Sequence, residues 1–507
     1  MKTRLTVLLL SLFSILPISA QYGNESFDEY RKRKQAEMEQ FRARKTQEMN
    51  DFRERKLREF NEYRKRKSKE FADFLNSQWA EREQMKPIPK PTKPDPVNPP
   101  VAPKEEVKPL PDNPVAIPTP DVRPPVTPKP SKPEPIPLPE PEPRPANTMQ
   151  VKLFGMTLNV AMTDDMHFSM KSIKPEAFKK AIQILDDDKY TPLIEDFARY
   201  SDDMHLNGWA RMCLSKAIAD RLLGEGSNEA VVLQTYLMAM MGYDIKPVSI
   251  NNHHLAMMFA SNMQLCGIPY IVDGEKRYYI SEDLPNGTTI TTPDSRFKGG
   301  TCAIDFAHAT QMQLDNSRTQ PKEFRSKKDS EVCVEVSVNR SLMLYYEGLP
   351  AFQDLAFYAR EPMETILAQQ ILPTLRGAIS GMSEQEAANL LIHFVQTAFD
   401  YKNDDEQFGF EKPFFKEELF YHRYSDCEDR AILYAGLVQT LLGLDVVLIH
   451  YPGHMCTAVK FKENIMGDYT MIDGQKYIIC DPCYIAVNIG RCMPQYQNEK
   501  PEALRIR

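Results

Sequence analysis

The amino-acid sequence predicts an α+β protein in which two copies of one folded unit follow a long charged helix and a proline-rich linker. Three observations lead to this prediction. Aromatic and Met residues recur every eleven positions near the amino terminus, prolines are concentrated in the stretch that follows, and the remainder contains matching helix and strand patterns about 200 positions apart. With 507 residues, the chain is long enough for such a multidomain arrangement.

Composition and charge narrow the class of protein. The net charge of −7 gives no reason to expect a nucleic-acid partner. No segment approaches the roughly 20 apolar residues that a membrane-spanning helix needs, so no transmembrane segment is predicted. All nine cysteines lie beyond residue 210, and their odd number leaves at least one thiol outside any set of disulfides within the chain.

Residues Met1–Ala20 have the pattern of a secretory signal peptide. Lys2 and Arg4 form a basic start, an apolar run follows, and Ile18–Ala20 provide a small-residue end. We therefore expect an exported protein that is periplasmic, attached to the cell envelope or secreted.

Residues 21–85 are predicted to form a long charged helix with an 11-residue repeat. The repeat has two rows, which are Phe27, Met38, Met49, Phe60, Phe71 and Tyr30, Phe41, Phe52, Tyr63, Phe74. Because eleven residues make three turns of about 3.67 residues, both rows stay on one helix face. We expect a continuous helix from about Phe27 to Glu83. Its face should self-associate or dock along another surface, the cell envelope included, since a lone helix would leave its aromatics in water.

Residues 86–147 are predicted to be a Pro-rich linker. Pro, Lys and Glu dominate this stretch. Such a composition cannot bury a core and favours extended polyproline conformation. A stalk followed by a stiff tether would hold the folded part away from an anchoring point.

The folded part is predicted to contain two related domains, residues 148–330 and 331–507. The segment Ala230–Asp244 resembles Ala431–Asp445 at an offset of 201, and His254 stands 200 positions before His454. Several matches in the same order at nearly one offset indicate an internal duplication.

Cys427 in the second copy is a candidate nucleophile. It precedes a strongly apolar helix that runs to about Leu442, and Ser425 with Glu428 has the spacing of a capping box. A cysteine in the first turn of a helix lies at the positive end of the helix dipole, which stabilises the reactive thiolate.

His454 and Asp481 complete a candidate triad with Cys427. His454 follows a predicted turn and begins a strand, while Asp481 ends a later strand. In such a relay the imidazole takes or shares the thiol proton, and the carboxylate orients the imidazole and favours its charged form.

These residues resemble the transglutaminase-like superfamily of papain-like thiol enzymes, over roughly residues 387–489. The family pattern is a helix-initiating Cys, a strand that begins near a Gly-His pair, and a strand that ends in Asp-Pro. The matching segments here are Ser425–Asp429, Gly453–Cys456 and Ile479–Pro482. The resemblance implies a papain-like α+β core and attack on an amide carbonyl. We expect no cofactor and no metal.

Two departures from the family pattern concern the cleft. Cys456 replaces the aromatic residue usual two places after the His, and Glu428 rather than a small residue follows the Cys. The substrate class therefore stays open. The family commonly uses an upstream side chain to support the oxyanion, and Tyr424 and Tyr421 are the candidates, alongside the backbone amide of Cys427.

The same region suggests a rival use as a structural zinc site. His454, Cys456, Cys480 and Cys483 supply four nitrogen and sulfur ligands at suitable spacings. This alternative does not account for the Cys at the helix start. Cys480 and Cys483 could also form a local disulfide in an oxidising space.

The first copy is expected to be a degenerate partner domain. In the duplication alignment Gly226 or Ser227 stands opposite Cys427, His254 is retained, and the carboxylate position falls near Ser281–Glu282. A site that lacks the thiol is not expected to be catalytic.

The sequence therefore predicts an exported thiol hydrolase, a peptidase or amidase, that cleaves peptide or isopeptide bonds of a peptide or protein substrate through an acyl-enzyme. One alternative is protein-glutamine transamidation by the same triad, with an amine in place of water. The other is a non-enzymatic cell-envelope binding or scaffold protein in which both copies are recognition modules.

Overall fold

The computed structural model describes residues 26–90, 113–125, 134, 136–138, 147–285 and 288–507. The predicted signal peptide, Met1–Ala20, and much of the predicted linker lie outside the described residues. None of the helices in the described part of the chain is long and apolar enough to cross a membrane.

One long helix and two short strands precede the two copies, namely α1 (Phe27–Leu75), β1 (Trp79–Arg82) and β2 (Asp121–Arg123). Helix α1 begins with a capping box, since the Ser26 hydroxyl accepts from the Glu29 amide and the Glu29 carboxylate accepts from the Ser26 amide. The predicted helix end at Glu83 is wrong. Residues 79–82 are extended because they pair antiparallel with a strand of the first copy.

The first copy begins with a hairpin, continues with helices and ends in a sheet. Its hairpin is β3 (Thr148–Leu153) and β4 (Met156–Ala161), and its helices are α2 (Pro175–Leu185), α3 (Thr191–Asp203), α4 (Gly208–Leu223) and α5 (Asn228–Met240). The later strands are β5 (Ile245–Ile250), β6 (His254–Ala260), β7 (Leu265–Cys266), β8 (Tyr270–Asp273), β9 (Lys276–Ile280) and β10 (Ile290–Pro293). Buried and exposed residues alternate along β3, so that one face of the strand packs on the core.

The second copy repeats this progression. It is preceded by β11 (Lys322–Arg325), which lies before the predicted boundary at residue 330 and pairs with β12 (Cys333–Val336) beyond it. Its first part then contains α6 (Arg340–Glu347), β13 (Ala351–Phe352), α7 (Ala356–Arg360), α8 (Thr365–Ala378) and α9 (Glu384–Ala398). Its second part contains β14 (Asp400–Tyr401), α10 (Asp404–Gln407), α11 (Glu418–Tyr421), β15 (Tyr424–Ser425), α12 (Cys427–Leu441), β16 (Asp445–Tyr451), β17 (His454–Lys460), β18 (Tyr469–Ile472), β19 (Gln475–Cys480) and β20 (Glu502–Arg505).

Two curled sheets, each with six strands among the described residues, have the same strand order. The first is β1-β10-β5-β6-β9-β8 and the second is β2-β20-β16-β17-β19-β18. In each copy an apolar helix, α5 or α12, packs on the central strands. The mixed α+β class is confirmed, and the shared order agrees with the internal duplication that the sequence indicates.

The aromatic face of α1 changes its environment along the helix. Tyr30 and Phe52 are 46% and 36% exposed, whereas Tyr63 and Phe74 are 6% and 5% exposed. The buried half packs on α2 and α5 of the first copy. The carboxy-terminal half of α1 is therefore docked along another surface, which is the surface of the first copy.

Part of the predicted linker packs against the second copy. Strand β2 pairs parallel with β20, so that Asp121 is level with Glu502 and Arg123 with Leu504. Nearby, Ile117 is 4% exposed, and the amide of Val115 donates to the carboxylate of Asp468 at 2.8 Å. Some residues of the predicted linker therefore pack on the folded part, because a few apolar residues interrupt the prolines.

The two copies share one continuous hydrophobic core. Strand β13 of the second copy pairs antiparallel with β7 of the first. Helix α6 also contacts the first copy, where the side-chain Nδ2 of Asn207 donates to the hydroxyl of Tyr345 at 2.8 Å. These contacts cross the predicted boundary between residues 330 and 331 and fix the two copies against each other.

Candidate active site

Cys427 is the first residue of α12. The N-cap is Asp426, whose amide donates to the carboxylate of Asp429 at 3.1 Å. The predicted capping box of Ser425 and Glu428 is wrong by one residue, because Ser425 is held in β15 by parallel pairing with β14. The cysteine nevertheless lies in the first turn, where the helix dipole favours a negatively charged sulfur.

His454 and Asp481 lie at neighbouring strand ends. His454 begins β17 and Asp481 follows β19, which pairs antiparallel with β17. The Nε2 atom of His454 is 2.9 Å from Oδ2 of Asp481, and the same ring is hydrogen-bonded to Cys427. The structure thus brings the three predicted triad residues together, with Cys427, His454 and Asp481 only 5%, 4% and 2% exposed.

The charge on His454 is set by burial and by these two partners. Burial disfavours the imidazolium, but the Asp481 carboxylate and the Cys427 sulfur outweigh it and raise the pKa of His454 well above its ordinary value. A protonated imidazole beside a sulfur anion is the resting state that thiol catalysis needs.

Two tyrosine rings fix the plane of the imidazole. The ring of Tyr496 stacks on His454 with centroids 4.9 Å apart and an interplanar angle of 13°. Tyr451 stacks in turn on Tyr496 at 4.8 Å. Tyr496 was not a sequence candidate, because it lies in a short turn near the carboxy terminus that carries no motif.

Tyr401 is a further residue that sequence reasoning missed. Its hydroxyl oxygen is 3.4 Å from Sγ of Cys427 and 3.1 Å from Oδ1 of Asn403, so two acceptors lie within reach of its one proton. Burial and the neighbouring Cys427 raise the pKa of Tyr401 well above its ordinary value, so the hydroxyl keeps its proton. When Cys427 is a thiolate, the one hydroxyl proton turns from the amide oxygen of Asn403 to the sulfur, because a charged acceptor makes the stronger hydrogen bond.

The two tyrosines proposed for oxyanion support have other contacts. The ring of Tyr424 lies against the guanidinium of Arg423, 5.0 Å from the centroid, and against the ammonium of Lys402, at 5.5 Å. Tyr421 is 41% exposed and meets the ring of His422 edge-on. The tyrosine hydroxyl at the thiol is that of Tyr401.

Two neighbouring cysteines border the site as neutral thiols. Burial raises the pKa of Cys456, which is hydrogen-bonded to His454, to about 11. Burial also raises the pKa of Cys483, which is hydrogen-bonded to Cys427, well above its ordinary value. The Sγ atom of Cys483 donates to the carbonyl of Asp426 at 3.8 Å.

The four predicted zinc ligands do not converge on one point. Cys480 donates to the carbonyl of a residue in its own strand, and Cys483 is directed to the start of α12. The group whose ligand atoms all lie within 4.8 Å of one another is instead His454, Cys456 and Asp481. All nine cysteines are free thiols, so the suggested Cys480–Cys483 disulfide is not formed.

Buried carboxylates surround the start of α12. Asp404, Asp426 and Glu428 place carboxylate oxygens within 4.8 Å of one another. Burial, with the charges of Asp404 and Glu428, raises the pKa of Asp429 well above its ordinary value. This shift favours the neutral form of Asp429 and so lowers the negative charge beside Cys427.

A cleft of about 1370 Å³ between the two copies is lined by His454 of the candidate triad. His454 and Gly453 line it from the second copy, and Gln264 and Tyr279 line it from the first. Arg123, which ends β2, also contributes to its wall. The first copy is thus one side of the cleft that His454 lines.

The first copy retains part of the same arrangement. Nε2 of His254 lies 2.9 Å from Oε1 of Glu282, and both side chains are solvent-accessible, at 47% and 36%. Helix α5 starts at Asn228, with Ser227 as its cap. Neither Gly226 nor Ser227, the residues that the duplication alignment sets opposite Cys427, supplies a thiol.

Comparison with known proteins gives no family assignment, since no protein-family model, curated protein or solved structure matches the chain.

Proposed function

We propose that the chain is an exported thiol hydrolase, a peptidase or amidase of the transglutaminase-like kind, which acts on peptide or isopeptide bonds. One observation carries the proposal. Cys427, at the start of a helix, is hydrogen-bonded to a buried His454 whose Nε2 lies 2.9 Å from Asp481. Nucleophile, base and orienting carboxylate in that order form the relay of thiol acyl transfer. Export is proposed from the signal pattern of Met1–Ala20.

In the acylation half, the Cys427 thiolate attacks the carbonyl carbon and forms a carbon–sulfur bond. The Tyr401 hydroxyl and amides at the start of α12 are donors for the negative charge that moves from sulfur to the carbonyl oxygen. As the carbon–nitrogen bond breaks, His454 gives its proton to the leaving amine. The product is a thioester on Cys427.

In the deacylation half, water attacks the thioester carbonyl while His454 takes its proton. The carbon–sulfur bond breaks, the carboxylic acid leaves, and the thiolate and imidazolium return. An amine can replace water in the same step, which turns hydrolysis into transamidation. Asp481 keeps the imidazole oriented in both halves through its contact with Nε2.

The cleft favours a peptide or protein segment as substrate. Its volume of about 1370 Å³ exceeds the roughly 300–1,000 Å³ that is usual for small-molecule pockets. Its walls come from both copies, so an extended segment lying in it would contact the first copy while its amide reaches His454.

The test uses the chain without Met1–Ala20, a peptide mixture and a labelled primary amine. New amino termini indicate hydrolysis, and incorporated label indicates transfer. Cys427→Ala should abolish either product, whereas Cys213→Ala, which removes a partly buried thiol of the first copy, should abolish neither. Product formation that is equal in the wild-type chain and in Cys427→Ala would sink the enzyme proposal and leave the scaffold alternative.

A further inference from the structure

The amino-terminal half of α1 is an arm whose surface is almost entirely exposed. This exposed arm comprises residues 28–55, and the first buried residue after it is Phe60. Along one face it carries the exposed stripe, which is Tyr30, Met38, Phe41, Met49 and Phe52, at 46%, 53%, 47%, 42% and 36% exposure. Large apolar side chains in one row at this exposure mark an interaction surface.

The docked half of the same helix shows what this face needs from a partner. There Phe60 is 1% exposed, and the basic side chains beside it bind acidic groups. Arg64 lies 3.0 Å from the carboxylate of Asp188, and Lys67 lies 3.4 Å from that of Glu134. A partner surface for this helix face therefore needs apolar side chains that bury its aromatic rings and carboxylates that pair with its basic side chains.

The exposed arm offers both kinds of group itself. Beside the exposed stripe lie Glu37 and Glu48, and each carboxylate is 2.6 Å from an ammonium of the same arm, that of Lys34 or Lys45. The lysines take the same position in the 11-residue repeat as Lys67 in the docked half. A second arm can thus supply apolar contact together with carboxylates.

We propose that the exposed arm binds the exposed arm of a second copy of this chain, antiparallel, about a two-fold axis at Phe41. In this pairing residue numbers that face each other add up to 82. Phe41 lies level with Phe41 of the second copy, and Tyr30 lies level with Phe52. A helix that buries this stripe removes large aromatic side chains from water, which is the driving force.

The length of the arm agrees with this axis. Residues 28–55 have their midpoint between 41 and 42. Residue 27, where the helix starts, lies level with residue 55 of the second copy, next to its folded body. Two arms of about 42 Å, at 1.5 Å per residue, therefore cover each other from end to end.

The position of the folded body opposes a parallel pairing. The first copy occupies the aromatic face of α1 from Phe60 to Phe74. A parallel second helix would continue along this face and collide with the body. The antiparallel helix ends where the body begins, and its own body lies at the opposite end.

The charges along the arm follow the same register. Segments rich in basic residues, at 31–34, 42–45 and 53–56 (the last interrupted by Glu54), alternate with segments that carry the acidic residues Asp28, Glu29, Glu37, Glu39, Glu48 and Asp51. About the axis at Phe41, residues 31–34 of one arm lie level with residues 48–51 of the other. In the same way residues 42–45 face residues 37–40, and residues 53–56 face residues 26–29. An in-register parallel pair would set like runs level. Exposed charges add little affinity, but they select orientation.

The first experiment measures the mass in solution of the chain without Met1–Ala20. We expect a dimer, and Phe41→Glu should weaken dimerisation at least tenfold. Ala43→Glu is the matched control, because it adds the same charge two residues away on the opposite face. Circular dichroism checks that both variants keep the helix. A monomeric wild-type chain at micromolar concentration, or equal weakening by Ala43→Glu, overturns the proposal.

The second experiment fixes the orientation by disulfide trapping, with the wild-type chain as the control for native thiols. Phe41→Cys should cross-link to itself, and Tyr30→Cys should cross-link to Phe52→Cys but not to itself. Self-cross-linking by each of the three variants would mean a parallel pair. A monomer that binds anionic phospholipid vesicles, and loses this binding in Phe41→Glu, would mean a membrane surface. Either result makes the proposal wrong.

Discussion

Replacing Tyr401 by phenylalanine isolates the hydrogen bond between its hydroxyl and the sulfur of Cys427. The two atoms are 3.4 Å apart, and the raised pKa of Tyr401 keeps the hydroxyl protonated. Phenylalanine retains the ring, which lies 5.2 Å from the guanidinium carbon of Arg430. The substitution also removes the bond to Asn403, so the folded chain should lose a little stability but keep its shape.

The size of the effect follows from the charge on the sulfur. A hydrogen bond to a charged group contributes about 1.5–3 kcal/mol, which corresponds to roughly one to two pH units. In Tyr401→Phe we expect the midpoint of the plot of Cys427 alkylation rate against pH to rise by that amount. Below this pH, alkylation should slow about 10- to 100-fold. If the hydroxyl also serves the oxyanion, kcat should fall by roughly 10²- to 10³-fold.

The assay needs no substrate. The chain is treated with iodoacetamide over about pH 5–9, and alkylation is read from the tryptic peptide 424–430, whose thiol is Cys427. Tyr424→Phe is the matched control, because Tyr424 has its ring contacts with Arg423 and Lys402. Equal pH profiles for the wild-type chain and Tyr401→Phe, or an equal shift in Tyr424→Phe, would refute the role of Tyr401.

Three further results are expected. Burial raises the pKa of Glu417 to about 7. The stability that its proton provides is therefore present below about pH 4.5 and is lost as the pH rises through 7. Glu417→Gln should raise the free energy of unfolding at pH 8 by up to roughly 3 kcal/mol, seen as a higher melting temperature, and should not raise it at pH 4. Asp481→Asn should lower the pKa of His454 and reduce kcat on the order of 10⁴-fold, measured with the substrate that the peptide test identifies; a loss below tenfold would contradict the orienting role. Zn²⁺ should inhibit the enzyme by binding His454, Cys456 and Asp481. In calorimetry, Cys456→Ser should weaken Zn²⁺ binding at least tenfold. Unchanged affinity for Zn²⁺ would exclude Cys456 as a ligand.

The triad could be located from the sequence because each member marks a local boundary. Cys427 precedes an apolar run of helical length, His454 follows a Pro-Gly turn, and Asp481 closes a strand-like run. These patterns are set within ten residues or so of the chain. Because each pattern is short, the sequence alone is enough to place one residue at a helix start, one at a strand start and one at a strand end.

What the sequence could not provide depends on distant contacts. Tyr401 reaches the thiol because two residues of β14 pair in parallel with two of β15, which is too short to leave a pattern. The same pairing holds Ser425 in a strand and moves the cap to Asp426. Tyr496 reaches His454 from a turn near the end of the chain. Such residues are identified only when the fold is known.

The helix end was mispredicted for a similar reason. The 11-residue spacing continues to Phe74, and nothing in Trp79–Arg82 marks a strand except a place at the edge of the first sheet. Strand β2 also has only three residues and stands among prolines. Edge strands of this length have little intrinsic preference, and the open sheet edge decides their conformation.

The outermost strand of each sheet has a consequence for dissecting the protein. Both β1 and β2 belong to the segment that precedes the duplicated units, and each covers a neighbour, β10 or β20, that would otherwise be an open edge. A fragment that starts at Glu331 would leave the backbone of β20 bare on one side, a template for aggregation. The leading segment is thus a built-in guard against edge-to-edge association, and fragments that retain Asp121–Arg123 should be the more soluble ones.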